Sequence, residues 1–412
     1  MTKPFAGKVF TSYEVLIIAI LSALQFTLVL DFMVLSPLGA ILMPELKIST
    51  SQFGWVVSAY AFSAGASGLL AAGFADKFDR KKLLLFFYTG FIVGTILCAI
   101  APDFKFLLMA RIVTGIFGGV IGSISFAIIT DLFKLEVRGR VMGFVQMSFA
   151  ASQVLGLPLG LYLANNWGWH SPFLLIVGLS IVLGIIITTM MKPVDAHLKL
   201  RSEKNAFQHL VKTVSNSMYL KAFSATILLT TGGFMLMPFG SAFGINNLGI
   251  TLGQLPILYL ITGLCSMIAG PFTGRLSDAI GKYKIFVIGS IIGIVMVLIY
   301  CNLSITPLWV VIIINVILFI AITARMIAAS ALMTAIPEPA DRGAFMGINS
   351  SIQQISGGIA TMIAGMIIVQ ENEHAPLENY PMLGNVVVSA MLITIGMMYV
   401  IHKIVAKKMV VG

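Results

Sequence analysis

Two charged side chains lie where charge is costly. Asp31 interrupts the apolar run FTLVLDFMVLSPLGAILM, and Arg111 interrupts FLLMARIVTGIFGG. An isolated charge in hydrocarbon costs at least ~2.5–3.5 kcal/mol on insertion scales, so a carboxylate and a guanidinium at similar depth are expected to pair. The pair can also do chemistry. If a proton or a cationic solute can take the place of Arg111 at the carboxylate, three species compete for one site, and that competition links the movement of one to another. A static pair that only ties two helices together is the other reading of the same residues. A third embedded charge, Arg325, has no acidic partner in any predicted span. It either receives an anionic group or carries its tip to water or backbone carbonyls.

Nucleophilic and metal chemistry have no comparable constellation. The five histidines fall near helix ends or in loops, and Cys98, Cys265 and Cys301 lie inside apolar runs without paired spacing or a neighbouring histidine. Neither a disulfide framework nor a metal site is expected. No Ser/His/Asp or Cys/His set falls in a common region, so the expectation is no enzyme and no cofactor.

The elements that must hold these charges follow from composition. The 412 residues are 58% hydrophobic and 10% charged, against about 25% charged in soluble domains. The mean hydropathy is +1.00. Apolar runs long enough to cross a hydrocarbon core of about 30 Å fall near 14–36, 51–72, 84–101, 105–130, 139–163, 171–191, 219–243, 253–275, 284–303, 307–334, 342–369 and 385–404. The reading is an all-α integral membrane protein with twelve transmembrane helices. Barrel strands, which alternate over about ten residues, are excluded. Asp31 then lies about 25 Å along the first span from Glu14, and Arg111 enters the fourth from the opposite, outer side, so both are expected in the outer half of the bilayer.

Charge placement orients the chain. With a cytoplasmic N-terminus, 22 of the 26 Lys and Arg residues face one side. Lys47 and Lys105 fall in opposite loops, which carry Glu45, Asp103, Glu371, Glu373 and Glu378. Both termini are therefore expected in the cytoplasm, and the first span, preceded by a short polar stretch, is expected to be retained as an anchor. The net charge of +10 does not imply nucleic acid, because no loop is long enough to build a basic face. Trp55, Trp167, Trp169 and Trp309 map to the outer ends of spans, as an interfacial belt would.

Lipid-facing polar groups are expensive, so polar positions mark inward faces. They are Gln25, Thr27 and Asp31 in the first span, Gln146, Ser148, Ser152 and Gln153 in the fifth, and Asn349, Ser350, Ser351, Gln353, Gln354 and Ser356 in the eleventh. Spans 3, 6, 9 and 12 carry almost nothing polar and are read as braces. Candidate cavity residues are Gln25, Met33, Gln146, Phe149, Phe234, Met235, Arg325, Asn349 and Gln353. Methionine and phenylalanine there would either form an adaptable apolar lining or pack helices.

The chain is doubled. GFADKFDRKK around Asp76 is echoed by GRLSDAIGKYK around Asp278, 202 positions later, and Phe32, Met33 and Gln52 recur as Phe234, Met235 and Gln254. Further on, Thr130, Arg138 and Gly139 match Thr334, Arg342 and Gly343 at an offset of 204. The boundaries read as a first six-helix bundle at 1–191, a cytoplasmic linker at 192–218 and a second bundle at 219–412. The repeat is not perfect: Asp31 faces Gly233 and Arg111 faces Asn315.

With these motifs the chain resembles the major facilitator superfamily along essentially its whole length. Phe74, Ala75, Asp76, Lys77, Arg80 and Lys81 match the family's loop signature between helices 2 and 3, with Ala72 and Asp79 replacing its two glycines. Gly274, Leu276, Ser277, Asp278, Gly281 and Lys282 match in the second copy. Arg111 before Gly115, Gly118 and Gly119 resembles a helix 4 signature. Gly156, Pro158 and Gly160 resemble the glycine- and proline-rich helix 5 of the family's drug-exporting and sugar-efflux antiporters, here with Leu157 between Gly156 and Pro158. The resemblance implies two pseudo-symmetric six-helix bundles, alternating access around a midplane site, and a cytoplasmic latch built from Asp76, Arg80, Asp131, Arg138, Arg140 and Asp278. It implies a bacterial inner-membrane monomer whose partners are protons, lipid and a small-molecule substrate. Proton-coupled export of amphipathic or drug-like compounds is the leading expectation, with Asp31 and Arg111 as the coupling pair. Transport of a sugar, organic anion or lysolipid is the alternative. A membrane receptor or intramembrane enzyme is the rival from another class.

Overall fold

The computed structural model describes residues 10–71, 78–195, 198, 213–338, 341–372 and 375–411, and within these the side chains of 135, 136, 139, 146, 149, 150, 342, 343 and 408–411 are not described. Asp76 and most of the 192–218 linker therefore lie outside the described residues, as do the side chains of Gln146 and Phe149.

The described chain is helical apart from one isolated bridge between Val369 and Glu378. Its α-helices are α1 (Ser12–Leu46), α2 (Thr50–Ala71), α3 (Arg80–Ala99), α4 (Phe104–Leu132), α5 (Leu135–Ala151), α6 (Leu157–Trp167) and α7 (Ser171–Met190) in the first half. The second half has α8 (Ser217–Leu236), α9 (Gly240–Asn246), α10 (Leu255–Ile280), α11 (Lys282–Cys301), α12 (Leu308–Met333), α13 (Arg342–Ile367) and α14 (Tyr380–Val411). Among the described residues, these fourteen helices make twelve spans. A π-turn at Ser152–Gly156 joins α5 to α6 in the fifth, and a short 3₁₀ turn at Met237–Phe239 joins α8 to α9 in the seventh.

Among the described residues, ten spans are long and apolar enough to cross a membrane by composition alone. The other two are α5–α6 and α13, the spans with the densest glutamine, asparagine and serine. Their polarity is affordable because they pack against protein. Helix starts follow local chemistry: the Thr11 hydroxyl and the Glu14 carboxylate form a capping box on α1, Asp79 accepts from the Lys82 amide at 2.9 Å, and Asp103 from Phe106 at 2.9 Å. Asp79, one of the residues that replaces a signature glycine, thus serves as the N-cap of α3. The first span runs further than its expected end at 36, because α1 continues through Pro37 and Pro44; prolines are tolerated in membrane helices packed against neighbours.

Helices α1–α7 pack mainly on one another, and so do α8–α14. Three seams join the halves: α2 on α13, the π-turn and α6 on α10, and α1 on α9. The α2–α13 seam is held by hydroxyl-to-carbonyl bonds, Thr50 to Ile368 at 2.7 Å and Ser58 to Gly358 at 2.8 Å. The other two seams, with Asn165 donating to Leu252 at 2.8 Å and Ser241 to Ser36 at 3.4 Å, lie in the half away from the basic loops. Of the four tryptophans, Trp55, Trp167 and Trp309 are exposed. Trp169 is not part of such a belt: it is buried, stacked on His170 with ring centroids 3.7 Å apart and edge-on to Phe173.

Within the first half, α4 lies directly on α2. A Cβ at Gly115 would collide with Ser63 and the backbone of Tyr60, and one at Gly119 with the backbone of Ala64, whereas one at Gly122 would meet nothing within 4 Å. Gly119→Val is therefore expected to destabilise by about 1–3 kcal/mol and lower the melting temperature in detergent, while Gly122→Ala leaves it within error.

Candidate functional site

Asp31, midway along α1, and Arg111, on the second turn of α4, meet across the helix interface. Arg111 Nη1 donates to Asp31 Oδ2 at 2.8 Å and to the Asp31 carbonyl at 3.4 Å, and both side chains are completely buried. Thr95 on α3 donates to the other carboxylate oxygen at 3.3 Å while also bonding the Phe91 carbonyl. Three helices thus converge on one carboxylate. Burying a charge pair without further hydrogen bonds costs more than the pair returns, and here the guanidinium is only partly served. Its Nε and Nη2 have no hydrogen-bond partner among the described residues.

What lies on the open face of the guanidinium is a ring. Arg111 Cζ stands 4.6 Å from the centroid of Tyr60 on α2, a cation–π placement. Tyr60 in turn lies 5.3 Å from the ring of Phe32 on α1, and Phe32 lies 5.8 Å from Phe234 on α8. The last contact crosses from one half of the chain to the other. Phe234 rests where Gly357 on α13 has no side chain, and a Cβ there would come 3.0 Å from the ring.

An ion pair buried within membrane-spanning helices marks a candidate functional site, and comparison with known proteins decides the family. The profile of the Major Facilitator Superfamily matches residues 21–361 and again 222–408. The chain belongs to the major facilitator superfamily. It is a secondary transporter of that superfamily and not an enzyme. It is 29% identical over 272 residues to the uncharacterized MFS-type transporter YceJ of Bacillus subtilis (strain 168), covering 66% of this chain and 69% of YceJ. Over 125 residues it is 35% identical to Multidrug resistance protein 3 of the same organism, covering 30% of this chain and 24% of that protein. Its fold matches a bacterial homologue of the human lysosomal transporter Spinster, solved inward-facing and occupied, with TM-score 0.71 at 15% identity over 96% of this chain and 97% of that one.

The transporter's other sequence-derived residues divide. Gln25, Phe234, Asn349 and Gln353 are half-buried on α1, α8 and α13. Asn349 accepts from Thr226 at 2.6 Å, tying α13 to α8. Met33 and Met235 are 5% and 1% exposed and are held among core residues rather than at an open surface. Arg325 lies on α12. It is buried between α12 and α11, with Nε donating to Ser290 at 3.0 Å and Cζ 5.5 Å from the Phe286 ring, in a notch opened by Gly289.

The latch residues are described only in part, since Asp76 lies outside the described residues. Arg138 spends Nε and Nη2 on the carbonyls of Phe133 and Thr130, at 2.9 and 2.6 Å, so it caps the C-terminal end of α4, where carbonyls lack helical partners. Asp131 and Arg80, both in the expected latch, pair at 3.1 Å. That links α3 to α4 within the first half. Arg140 and Asp278 are exposed. Helix 5 of the transporter departs locally from α-geometry in the stretch that resembles the antiporter motif: the π-turn ends at Gly156, Ser152 donates to the Phe26 carbonyl at 3.0 Å, and Gly160 admits Val34 of α1.

Two residues of the site, Thr95 and Tyr60, escaped the sequence reading. A threonine or tyrosine in an apolar run carries no mark of which neighbour it faces. Only the glycine face of α4, which brings Tyr60 close, could have hinted at the latter.

Removing one member of a buried pair strands the other, so Arg111→Met is expected to destabilise the transporter by about 3–5 kcal/mol. The double variant Asp31→Leu/Arg111→Met should recover most of that loss. Chemical denaturation of the single and double variants in detergent micelles checks it.

Proposed function

We propose that this transporter exports small amphipathic, drug-like molecules in exchange for protons, with Asp31 and Arg111 as the coupling pair. The observation that carries the proposal is the 2.8 Å pair, fully buried in the first half, at positions where the second half has Gly233 and Asn315. A charge pair needed only to hold a bundle together would be equally useful in both halves. Its confinement to one half marks a task performed once per cycle.

The chemistry runs as a competition. With Asp31 ionised, Arg111 and Thr95 satisfy the carboxylate. A proton arriving on Asp31 cancels the attraction to Arg111 and frees the guanidinium, and a cationic or polar substrate group can favour the reverse step. Tyr60 and Cys98 are the other titratable groups beside the pair; Cys98 lies against Thr114, its Sγ 3.7 Å from the hydroxyl. Each proton moving down the membrane potential supplies about 2.3 kcal/mol per 100 mV, enough to concentrate a substrate many-fold. The partial similarity to a multidrug resistance protein supports the substrate class. We place the bundles at 1–191 and 219–412 with the linker at 192–218 between them, both termini in the cytoplasm, and the protein as a monomer in a bacterial inner membrane. The basic loops gathered on one side support that orientation.

A second reading, transport of a metabolite with an anionic group, is favoured by Arg325, whose Nη2 has no hydrogen-bond partner among the described residues. The test separates the two. In proteoliposomes with an imposed pH gradient, the protein is expected to accumulate ethidium against its gradient, and Asp31→Asn is expected to lose at least tenfold of that accumulation while still exchanging ethidium. Uphill ethidium transport that survives Asp31→Asn would overturn the coupling role. Proton flux elicited only by organic anions, and abolished by Arg325→Gln, would favour the second reading.

A further inference from the structure

We infer that Tyr60 is a positioning residue for coupling: it holds the Arg111 guanidinium through its ring face and transmits the state of the Asp31–Arg111 pair to the seam between the two halves. This rests on the coupling role proposed for that pair. Three observations carry it. The guanidinium is completely buried, and two of its three nitrogens have no hydrogen-bond partner among the described residues. Besides the Asp31 groups and the Cys98 thiol, what stands against the guanidinium is the Tyr60 ring, 4.6 Å from Cζ. From Tyr60 an unbroken run of rings, through Phe32 at 5.3 Å to Phe234 at 5.8 Å, crosses to α8 and the glycine notch of α13.

The physical argument concerns the protonated half of the cycle. Once Asp31 is neutral, Arg111 keeps its charge, completely buried and with no anion beside it. A desolvated cation over an aromatic face is attracted with a strength that rises as water is removed. Tyr60 therefore retains the guanidinium in the first half instead of letting it seek a new partner. Tyr60 is itself confined on the other side, because α4 approaches α2 through Gly115 and Gly118, with the Tyr60 hydroxyl 2.8 Å from where a Cβ of Gly118 would be. A shift of the guanidinium cannot be absorbed by the ring turning into α4. It passes instead to Phe32, which follows Asp31 directly in the chain, and so to Phe234 across the seam. The ring face does this work, and the hydroxyl, which makes no hydrogen bond among the described residues that the geometry requires, does not enter into it.

The experiment uses the full chain in proteoliposomes with ethidium as the probe and two readouts. One is accumulation driven by an imposed pH gradient. The other is ethidium exchange at equal pH, which needs no coupling. Tyr60→Leu, which keeps bulk but loses the π-face, is expected to reduce driven accumulation at least tenfold while exchange stays within about twofold of the parent. Tyr60→Phe, which keeps the face, is expected to retain both within about threefold. Tyr60→Leu that still drives accumulation overturns the proposal, as does Tyr60→Phe that loses as much as Tyr60→Leu, since the hydroxyl would then be the working group. Loss of exchange and accumulation together in Tyr60→Leu, with an unchanged gel-filtration profile, also overturns it by assigning Tyr60 to the transport path itself. Asp31→Asn in the same assay keeps the two ideas apart. If it retains driven accumulation, the coupling pair is wrong; if it loses accumulation and Tyr60→Leu does not, only the role of Tyr60 is wrong.

Discussion

Hydrocarbon offers no hydrogen bonds, and this one constraint accounts for the arrangement of almost every polar group in the chain. Backbone groups are satisfied within helices, and hydroxyls inside the spans turn back to carbonyls one turn earlier, as Thr114 does to Ala110, Ser125 to Ile121 and Thr394 to Ala390. Groups that cannot be satisfied locally must be satisfied across a helix interface, and so they mark where interfaces are. Asp31 needs α3 and α4 to be folded around it. Thr50 and Ser58 need α13. The architecture is in this sense dictated by its least soluble groups.

The doubling of the chain makes the departures from symmetry informative. A shared scaffold explains why each half has an approximately equivalent set of six spans, yet it does not explain why one half carries a paired charge and the other Gly233 and Asn315. Asn315 is settled by a single bond to the Val311 carbonyl at 3.0 Å, and a Cβ at Gly233 would meet nothing within 4 Å. The second half has instead Arg325, lower on α12 and facing a different helix, with a serine and a phenylalanine for company. Similar bundles thus carry different electrostatic contents.

Much of this was legible in the residues. Apolar runs located the twelve spans, and the starts read at 14, 105 and 219 fall close to the caps Thr11, Asp103 and Asn216 that the structure shows. The Asp31–Arg111 pair was legible because two embedded opposite charges have few alternatives. What was not legible depends on azimuth, the direction in which a side chain leaves its helix. Arg325 on α12, Trp169 before α7 and Arg138 at the start of α5 each face a partner that only packing selects. The same holds for the breaks at Ser152–Gly156 and Met237–Phe239, where Pro158 and Pro238 gave a hint of irregularity without its form. Depth is written in composition, whereas facing is written in the shapes of neighbours.

The seam between α2 and α13 carries a consequence of its own. Glycines on both sides let backbone approach backbone: Gly54 faces the Thr361 carbonyl, Gly65 the side chain of Ile355, and Gly358 the ring of Phe62, a Cβ at the last coming within 2.9 Å of it. Bumps on one helix therefore sit in dips on the other along most of its length, like meshed teeth. Meshed teeth can roll past one another through a small angle, but they cannot slip lengthwise without climbing out of register. A lengthwise slip of α2 on α13 would therefore have to lift several of these contacts at once.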